Sequence, residues 1–488
     1  MFYKFPSDKD IYEPLSTDGR PESNSPSNDP RPIKCSPLTE IQANILGNAM
    51  ALLFSEGDDL ILQSIEDIKK LMIENFQAVF KSKEFANKKI DLPNRFIELL
   101  KKSTFACPTL ELLAILLEKS GEFDYILTSK GIANILTSIL NALISKCFDE
   151  NDIIYSLGNL FSVSKSLSNP YSISESSFSG RFCHELFENN FYEQIPKIFH
   201  QKLIDPNGES VNDKIASLLY LTSINNSLSL NEIRCLLKII PMLLEYDDPA
   251  IVRVGFKILS RLSIQLDDVE LLLKDGQIIS NLCRFISKES SIDFVIETIV
   301  NLSRFANIGG KVIDMMNSFD CLQNIFSIFD VQNDQLVNSV FDLSIEWLIH
   351  QNNSLVNMFI LLKSINFIYI FNNSNFKIKE KALRVLKLAS FLDSPENKII
   401  DVLNLDLFKT IISQFSVGDD PDFSYEGCLL MHTMIYKLSG PQFRNQLKSC
   451  LLNEDFCNKI DYMIWNEPNE IASKAKEIMT FIQEISTE

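Results

Sequence analysis

Histidine is scarce in this chain. The four residues His184, His200, His350 and His432 serve 488 positions, and none is spaced from another His, Cys or carboxylate as a zinc or nucleophile motif requires. Cys183 and His184 are adjacent, but neighbours on a helix point about 100° apart, so adjacency makes no dyad. There is no nucleophile elbow, HExxH motif or Gly-rich phosphate loop, since Gly309-Gly310 is followed by Lys311 without the remaining spacing. The expectation is a non-enzyme with no catalytic, metal or cofactor residues. With only 15 glycines and 18 prolines, the chain lacks the frequent breaks of an all-β design. Ten cysteines include no C-x-x-C pair, and the opening MFYKFPSDKD is not the basic-then-apolar run of a secretory signal. A reducing compartment, cytoplasmic or nuclear, is expected. Bases are outnumbered 46 to 64, and the formal charge of −18 repels nucleic acid and anionic membrane. The partners expected are therefore proteins, with the oligomeric state left open. The most apolar stretch, 355–371, is interrupted by Asn357, Lys363, Ser364 and Asn366, and is shorter than the ~20 residues of a membrane span. It predicts two short packed helices.

What the chain does have is 45% apolar residues arranged in a repeat. Leu259, Leu302, Ile345 and Leu388 recur every 43 residues, as do Leu262, Phe305, Leu348 and Phe391, and Leu282, Ile325, Ile368 and Ile411. A period of roughly 40 to 47 residues with helical patterning is the signature of armadillo and HEAT arrays. Traced outward as apolar pairs three apart, the anchor recurs at Ile68, Leu113, Leu157, Leu218, Ile435 and Ile478. The fold predicted is all-α: a right-handed α-solenoid, or superhelix, of about ten armadillo/HEAT-like repeats.

Residues 1–37 hold seven of the prolines and predict a disordered Pro/Ser-rich tail, whose Phe2, Tyr3, Phe5 and Tyr12 are candidate docking residues. The solenoid is expected over 38–488. Nine serines within 162–179 predict an inserted Ser-rich loop at 162–182, open to phosphorylation, which would account for the long step between Leu157 and Leu218. Asp248-Pro249 supplies an N-cap and a first helical residue. Each central unit then reads as three helices, in the first about 251–265, 267–275 and 277–287 with a break at Gly276, which favours the armadillo unit over the two-helix HEAT unit. Residues 467–488, with Glu470, Lys474, Lys476 and Glu477 among apolar positions, predict a C-terminal capping helix.

The pattern resembles the armadillo superfamily, to which importin-α and β-catenin belong. The local match is Tyr155-Ser-Leu-Gly-Asn159, which is similar to the Trp-x-Leu-x-Asn stretch of importin-α. In that family the stretch lies on the third helix and lines a concave groove holding an extended basic peptide. The ladder does not continue here: the matching positions of later repeats are Ala216 and Tyr220, Lys257 and Arg261, Val300 and Arg304, Leu343 and Trp347, and Leu386 and Ser390.

Arg253, Lys257 and Arg261 recur every four residues and so form one stripe opposite the apolar columns. The resemblance implies that this stripe points into the groove, with Arg304 and then Trp347 following one and two repeats on. Such a run offers guanidinium forks and an aromatic to an acidic, extended segment. The opposing reading is a solvated face paired with Asp293 and Glu297. The function expected is a non-catalytic interaction scaffold or adaptor binding an extended acidic peptide in the groove. The alternatives are an importin-α-like adaptor for nuclear localisation signals, and a regulatory subunit or assembly factor. Candidate binding residues are Arg253, Lys257, Arg261, Arg304, Trp347, Tyr155 and Asn159.

Overall fold

A computed structural model describes residues 37–487 except 121–122, 146–150, 171–175, 200–202, 205–207, 209, 226–227, 263–276, 288–289, 351–354, 393–401, 403, 418–420 and 439–446. Residues 1–36 of the expected tail, the short helix expected at 267–275 and the break at Gly276 lie outside the described residues. The chain divides into two compact units at Lys88 and Lys89, where the periodicity predicts one continuous body from residue 38. In the first unit α1 (Glu40–Leu52), α2 (Asp58–Phe80) and α3 (Lys83–Lys88) pack around Leu46, Met50, Ile61, Ile65, Met72 and Phe85. Thr39 and Gln42 start α1 with a reciprocal capping box. The expected anchor pair Ile68 and Leu71 is buried here, but Asn75, one turn on, breaks the helical geometry at φ −155°, ψ 71°.

The second unit continues with α4 (Leu92–Leu100), α5 (Ser103–Lys119), α6 (Asp124–Ser129), α7 (Ile132–Ile144), α8 (Asn151–Leu167), α9 (Ser176–Glu188), α10 (Pro196–Phe199), α11 (Val211–Ser223), α12 (Leu230–Leu244) and α13 (Pro249–Arg261). There follow α14 (Gln277–Arg284), α15 (Ile292–Ala306), α16 (Gly310–Ser318), α17 (Cys321–Ile328), α18 (Asp334–Ile349), α19 (Leu355–Ser364), α20 (Phe367–Asn373), α21 (Phe376–Phe391), α22 (Leu405–Val417), α23 (Pro421–Leu438), α24 (Glu454–Asn466) and α25 (Asn469–Thr487). No strand occurs among the described residues. The segment 355–371 forms two short helices as predicted, and among the described residues no helix is long and apolar enough to cross a membrane.

The longer helices stack in one ladder, α5–α8–α11–α13–α15–α18–α21–α23–α25, each touching the next. Polar caps start many of its rungs: Ser210, Asp248, Ser291, Asn333 and Asn375 each accept a backbone N–H of the helix they precede. The shorter helices form a second stack, in which α12 meets α14, α17 meets α19, and α20 meets α22. Two short helices follow α15 (α16 and α17) and α18 (α19 and α20), which is the three-helix armadillo-like unit, whereas α12 alone lies between α11 and α13, a two-helix unit.

A single burial pattern repeats along the ladder. Counting from Phe105, Ser156, Val211, Ile251, Phe294, Leu336, Ile378 and Phe423, places 1, 2, 5, 6, 8, 9, 12 and 13 are buried on each helix, the thirteenth after Ile251 lying outside the described residues. Burial is this broad because a middle rung packs against the rungs on both sides and the second stack. The terminal helix α25 instead buries one stripe, Ile471, Ala475, Ile478, Ile482 and Ile485, as suits a solenoid end.

The starting residues are 51, 55, 40, 43, 42, 42 and 45 apart, not uniformly 43. A column held at 43 therefore slides by one residue, or about 100° of helix, at each 42-residue step. Leu259 and Leu302 are core as expected, whereas Leu388 is only half-buried and Phe391 is 65% exposed.

The Ser-rich loop expected at 162–182 is likewise corrected. Residues 162–167 belong to α8 and 176–182 to α9. Ser156, Ser164 and Ser168 occupy places 1, 9 and 13 of the pattern, where a short side chain permits close packing, and Ser179 is also buried, reaching Asn225 Oδ1 at 3.4 Å. Buried hydroxyls of this kind are closed to modifying enzymes. The irregular part of that unit comes later, around the turn at Tyr192–Gln194 and the isolated bridge between Ile204 and Ser210.

Candidate functional site

The places the pattern leaves open, 3, 4, 7, 10 and 11, form the outward face of the ladder. On α13 they are Arg253, Val254, Lys257, Ser260 and Arg261, and on α15 Ile296, Glu297, Val300, Ser303 and Arg304. Arg253 Nε lies 3.9 Å from Glu297 Oε2, and its guanidinium sits 5.0 Å over the Phe294 ring. Burial pushes the Glu297 carboxyl up, with Arg253 and Lys257 pulling it back down. Arg304 Nη1 donates to Ser260 O at 2.8 Å, which brings the α15 guanidinium across to the C-terminal end of α13. Its pKa is lowered by burial and then by the like charge of Arg261. The carboxylate pairing predicted for the stripe is thus present at Glu297, which Arg253 and Lys257 approach from α13, while Asp293 one turn earlier on α15 adds like charge that pushes the Glu297 carboxyl up.

Further along, the charges match internally. Lys381 of α21 contacts Asp342 Oδ1 at 2.5 Å and Asn338 Oδ1 at 2.8 Å of α18, and Lys387 pairs with Glu426 of α23. His432 Nε2 lies 2.7 Å from Glu477 Oε2 of α25, and this hydrogen bond holds the Glu477 carboxyl below its ordinary range. Sequence inspection missed Asn338, Asp342 and Glu346, though their four-residue spacing is the same stripe signal that marks Arg253, Lys257 and Arg261.

Trp347 is not on this face. It is 2% exposed and occupies place 12, a core position. The step from α15 to α18 is 42 residues, so the place after Arg261 and Arg304 falls to Glu346. Tyr155 and Asn159 lie on α8, two rungs before α13, and do not join the basic cluster. The Tyr155 hydroxyl donates to Glu111 Oε1 of α5 at 2.5 Å, and Asn159 Nδ2 is buried without a hydrogen-bond partner. The positions once equated with Asn159 are not its equivalents either: it holds place 4, whereas Arg261 and Arg304 hold place 11.

On the second stack, a cavity of about 310 Å³ between α9 and α12 includes His184, Phe187, Glu188, Glu232 and Cys235 in its wall. His184 Nδ1 lies 2.7 Å from Glu232 Oε1, and that bond raises the imidazole pKa. Cys183 is fully buried, with its thiol pushed up to about 11 by desolvation, while His184 opens to the cavity, so the adjacent pair makes no dyad. Burial likewise raises the Cys235 thiol to about 11, which keeps it protonated and a poor nucleophile. No cluster of His, Cys, Asp and Glu among the described residues has metal-binding form.

Helical units stacked as a ladder and a second row define an armadillo-like repeat solenoid. No protein-family model matches the chain, and no curated protein matches it. Among solved structures, an engineered protein from a structural genomics consortium aligns over 90% of this chain and 99% of its own length, at TM-score 0.61 and 11% identity. A designed armadillo repeat protein in complex with the peptide (KR)4 aligns with 50% of this chain and 99% of its own, at TM-score 0.42 and 11% identity. At such identity the likeness to the engineered protein shows the fold alone, and that to the designed armadillo repeat protein carries no argument.

Proposed function

We propose that this chain is a non-catalytic interaction scaffold of the cytoplasm or nucleus that binds an extended, acidic segment of a partner protein across α13 and α15. The observation that carries this is the gathering of Lys257, Arg261 and Arg304 on two neighbouring rungs, where Arg304 Nη1 donates to Ser260 O at the end of α13 and lies close enough to Arg261 for like charge to lower its pKa, in a protein of formal charge −18. Carboxylates presented there would accept charge-assisted hydrogen bonds from two guanidiniums and relieve the repulsion between Arg261 and Arg304. Rung after rung offers further contacts, so affinity accumulates over a surface that needs little rearrangement.

The test is a pull-down from native lysate, comparing the intact protein with a Lys257→Glu, Arg261→Glu, Arg304→Glu variant of equal helical circular dichroism. Each hydrogen bond to a charged group contributes about 1.5–3 kcal/mol, so losing even two weakens capture of the specific partner by at least ~100-fold. An unchanged set of captured proteins would remove this face from the function.

A further inference from the structure

The last helices of the two stacks differ in what they turn outward. In the ladder α25 buries one apolar stripe and exposes Ser473, Lys476, Thr480 and Gln483, the polar outer face of a capping helix. In the second stack α22 has α20 on one side and α24 on the other, and the residues it leaves exposed are polar: Asp406, Lys409 and Ser413. α24 departs from both. It buries Phe456, Ile460 and Met463, with the Phe456 ring 5.8 Å from that of Phe415 on α22. Glu454, Asn458, Asp461 and Trp465, spaced by four, three and four residues, form one line on the opposite face, and all four are exposed. Trp465 is 79% exposed, and Tyr462 beside it 56%. Asn453 caps α24, so Glu454 in its first turn serves the helix dipole, but that reason does not extend to Asp461 two turns on. Among the described residues neither Glu454 nor Asp461 has an ion-pair partner.

We propose that this face of α24 docks a basic amphipathic helix of a partner protein, a second interaction surface that does not depend on α13 and α15. Asp461 and Trp465 stand one turn apart on one face, with about 5–6 Å between their Cβ atoms. A single Arg of the partner can therefore lay its guanidinium on the indole and donate to the carboxylate. Glu454 lies about 10 Å back along the axis, where a second cation two turns along the partner helix meets it. An apolar residue between the two cations covers Tyr462. The occupant is basic because the alternatives leave the carboxylates unsatisfied. A second copy of this face would set Glu454 and Asp461 against like charge, and an uncharged apolar helix would desolvate both without a partner. It is a helix because α22 and α25, which already pack on α24, are helices, and a third fills the open side at the usual spacing of about 8–10 Å.

The experiment measures fluorescence-anisotropy affinities of the full chain for three capped helical peptides of equal length, at about 150 mM salt, where long-range attraction to the net charge is largely screened. One carries two Arg seven residues apart with Leu between them on the same face; one has Glu in place of both Arg; one has the composition of the first with Arg and Leu scattered around the helix. The facially basic peptide is expected to bind about tenfold tighter than either of the others. Trp465→Ala and Asp461→Asn, both at exposed positions and checked by circular dichroism and thermal melting, are each expected to weaken it by about tenfold. Acrylamide quenching of the parent's tryptophan fluorescence should fall on binding, since Trp347, the other of the two tryptophans, is already buried. Binding that survives both substitutions would be attraction to net charge alone, equal binding of the acidic peptide would make the face merely apolar, and no binding of the basic peptide would remove its occupant; each overturns the proposal. So does a dimer of the parent chain in sedimentation that Trp465→Ala abolishes, because the face would then be an interface between copies.

Discussion

A Trp347→Ala variant is expected to lose about 3–5 kcal/mol of stability and to keep its partner at temperatures where it remains folded. The indole is 2% exposed at place 12 of α18, where the other rungs have Leu116, Leu167, Thr222, Leu262, Phe305, Ala389 and Met434. Truncation leaves a cavity in a rung whose neighbours on both sides are core-packed, and the surrounding helices collapse only partly around it. Because a solenoid is held by contacts between adjacent repeats, the loss should be local. Hydrogen exchange should accelerate over residues 292–306, 334–349 and 376–391, with 103–119 unchanged. If Trp347 were a binding residue, as the fixed 43-residue column implied, the reverse would be seen: partner lost, exchange unaffected.

Gly427→Val is expected to destabilise the C-terminal rungs by about 1–3 kcal/mol, the range for overpacking a well-filled core. A Cβ at Gly427 would stand 2.7 Å from Cδ2 and 3.1 Å from Cε2 of Phe415, whose ring is fully buried and 5.8 Å from that of Phe456. Glycine inside a helix costs about 0.5–1 kcal/mol relative to alanine, so here its small size offsets a poor propensity. Gly255 holds the same place 5 on α13, where an added Cβ would meet Leu244 Cδ2 at 3.0 Å. Urea unfolding would measure the loss. A second substitution, Phe415→Leu, should recover part of it by removing the ring edge; no recovery would mean that the strain lies elsewhere.

Both predictions turn on register, and register is where the sequence was least legible. Apolar columns are visible in the primary structure because a packed helix must present apolar residues at the helical period, so the solenoid and the three-helix unit could be read directly. Column spacing is another matter. Loops between rungs absorb insertions freely, and one residue more or less rotates a whole helix face by about 100°. That is why Arg261 and Arg304 were aligned correctly across a 43-residue step, while Trp347 was aligned with them across a 42-residue step to which Glu346 belongs. Around α8 the same difficulty was larger. Ser156, Ser164 and Ser168 are core residues there, and serines read as loop by composition.

The face itself was half legible. Arg253, Lys257 and Arg261 announced themselves by their four-residue spacing, and pairing with Glu297 was foreseen. What no stripe rule reveals is which charges on neighbouring rungs meet. Lys381 with Asp342, Lys387 with Glu426 and His432 with Glu477 join residues 39 to 45 apart, and only the stacking shows that they are neighbours.

The most direct test of a ladder-face scaffold is site-specific photocrosslinking. A benzophenone amino acid would be placed at Val300, between Lys257 and Asp342 on the outward face, or at Phe326, 50% exposed on α17 of the second stack. Irradiation in native lysate should attach a partner at position 300 and not at 326, and the position-300 adduct should vanish when Lys257→Glu, Arg261→Glu and Arg304→Glu are added. A partner attached at 326 but not at 300, or an adduct at 300 that survives charge reversal, would contradict binding through the basic rungs.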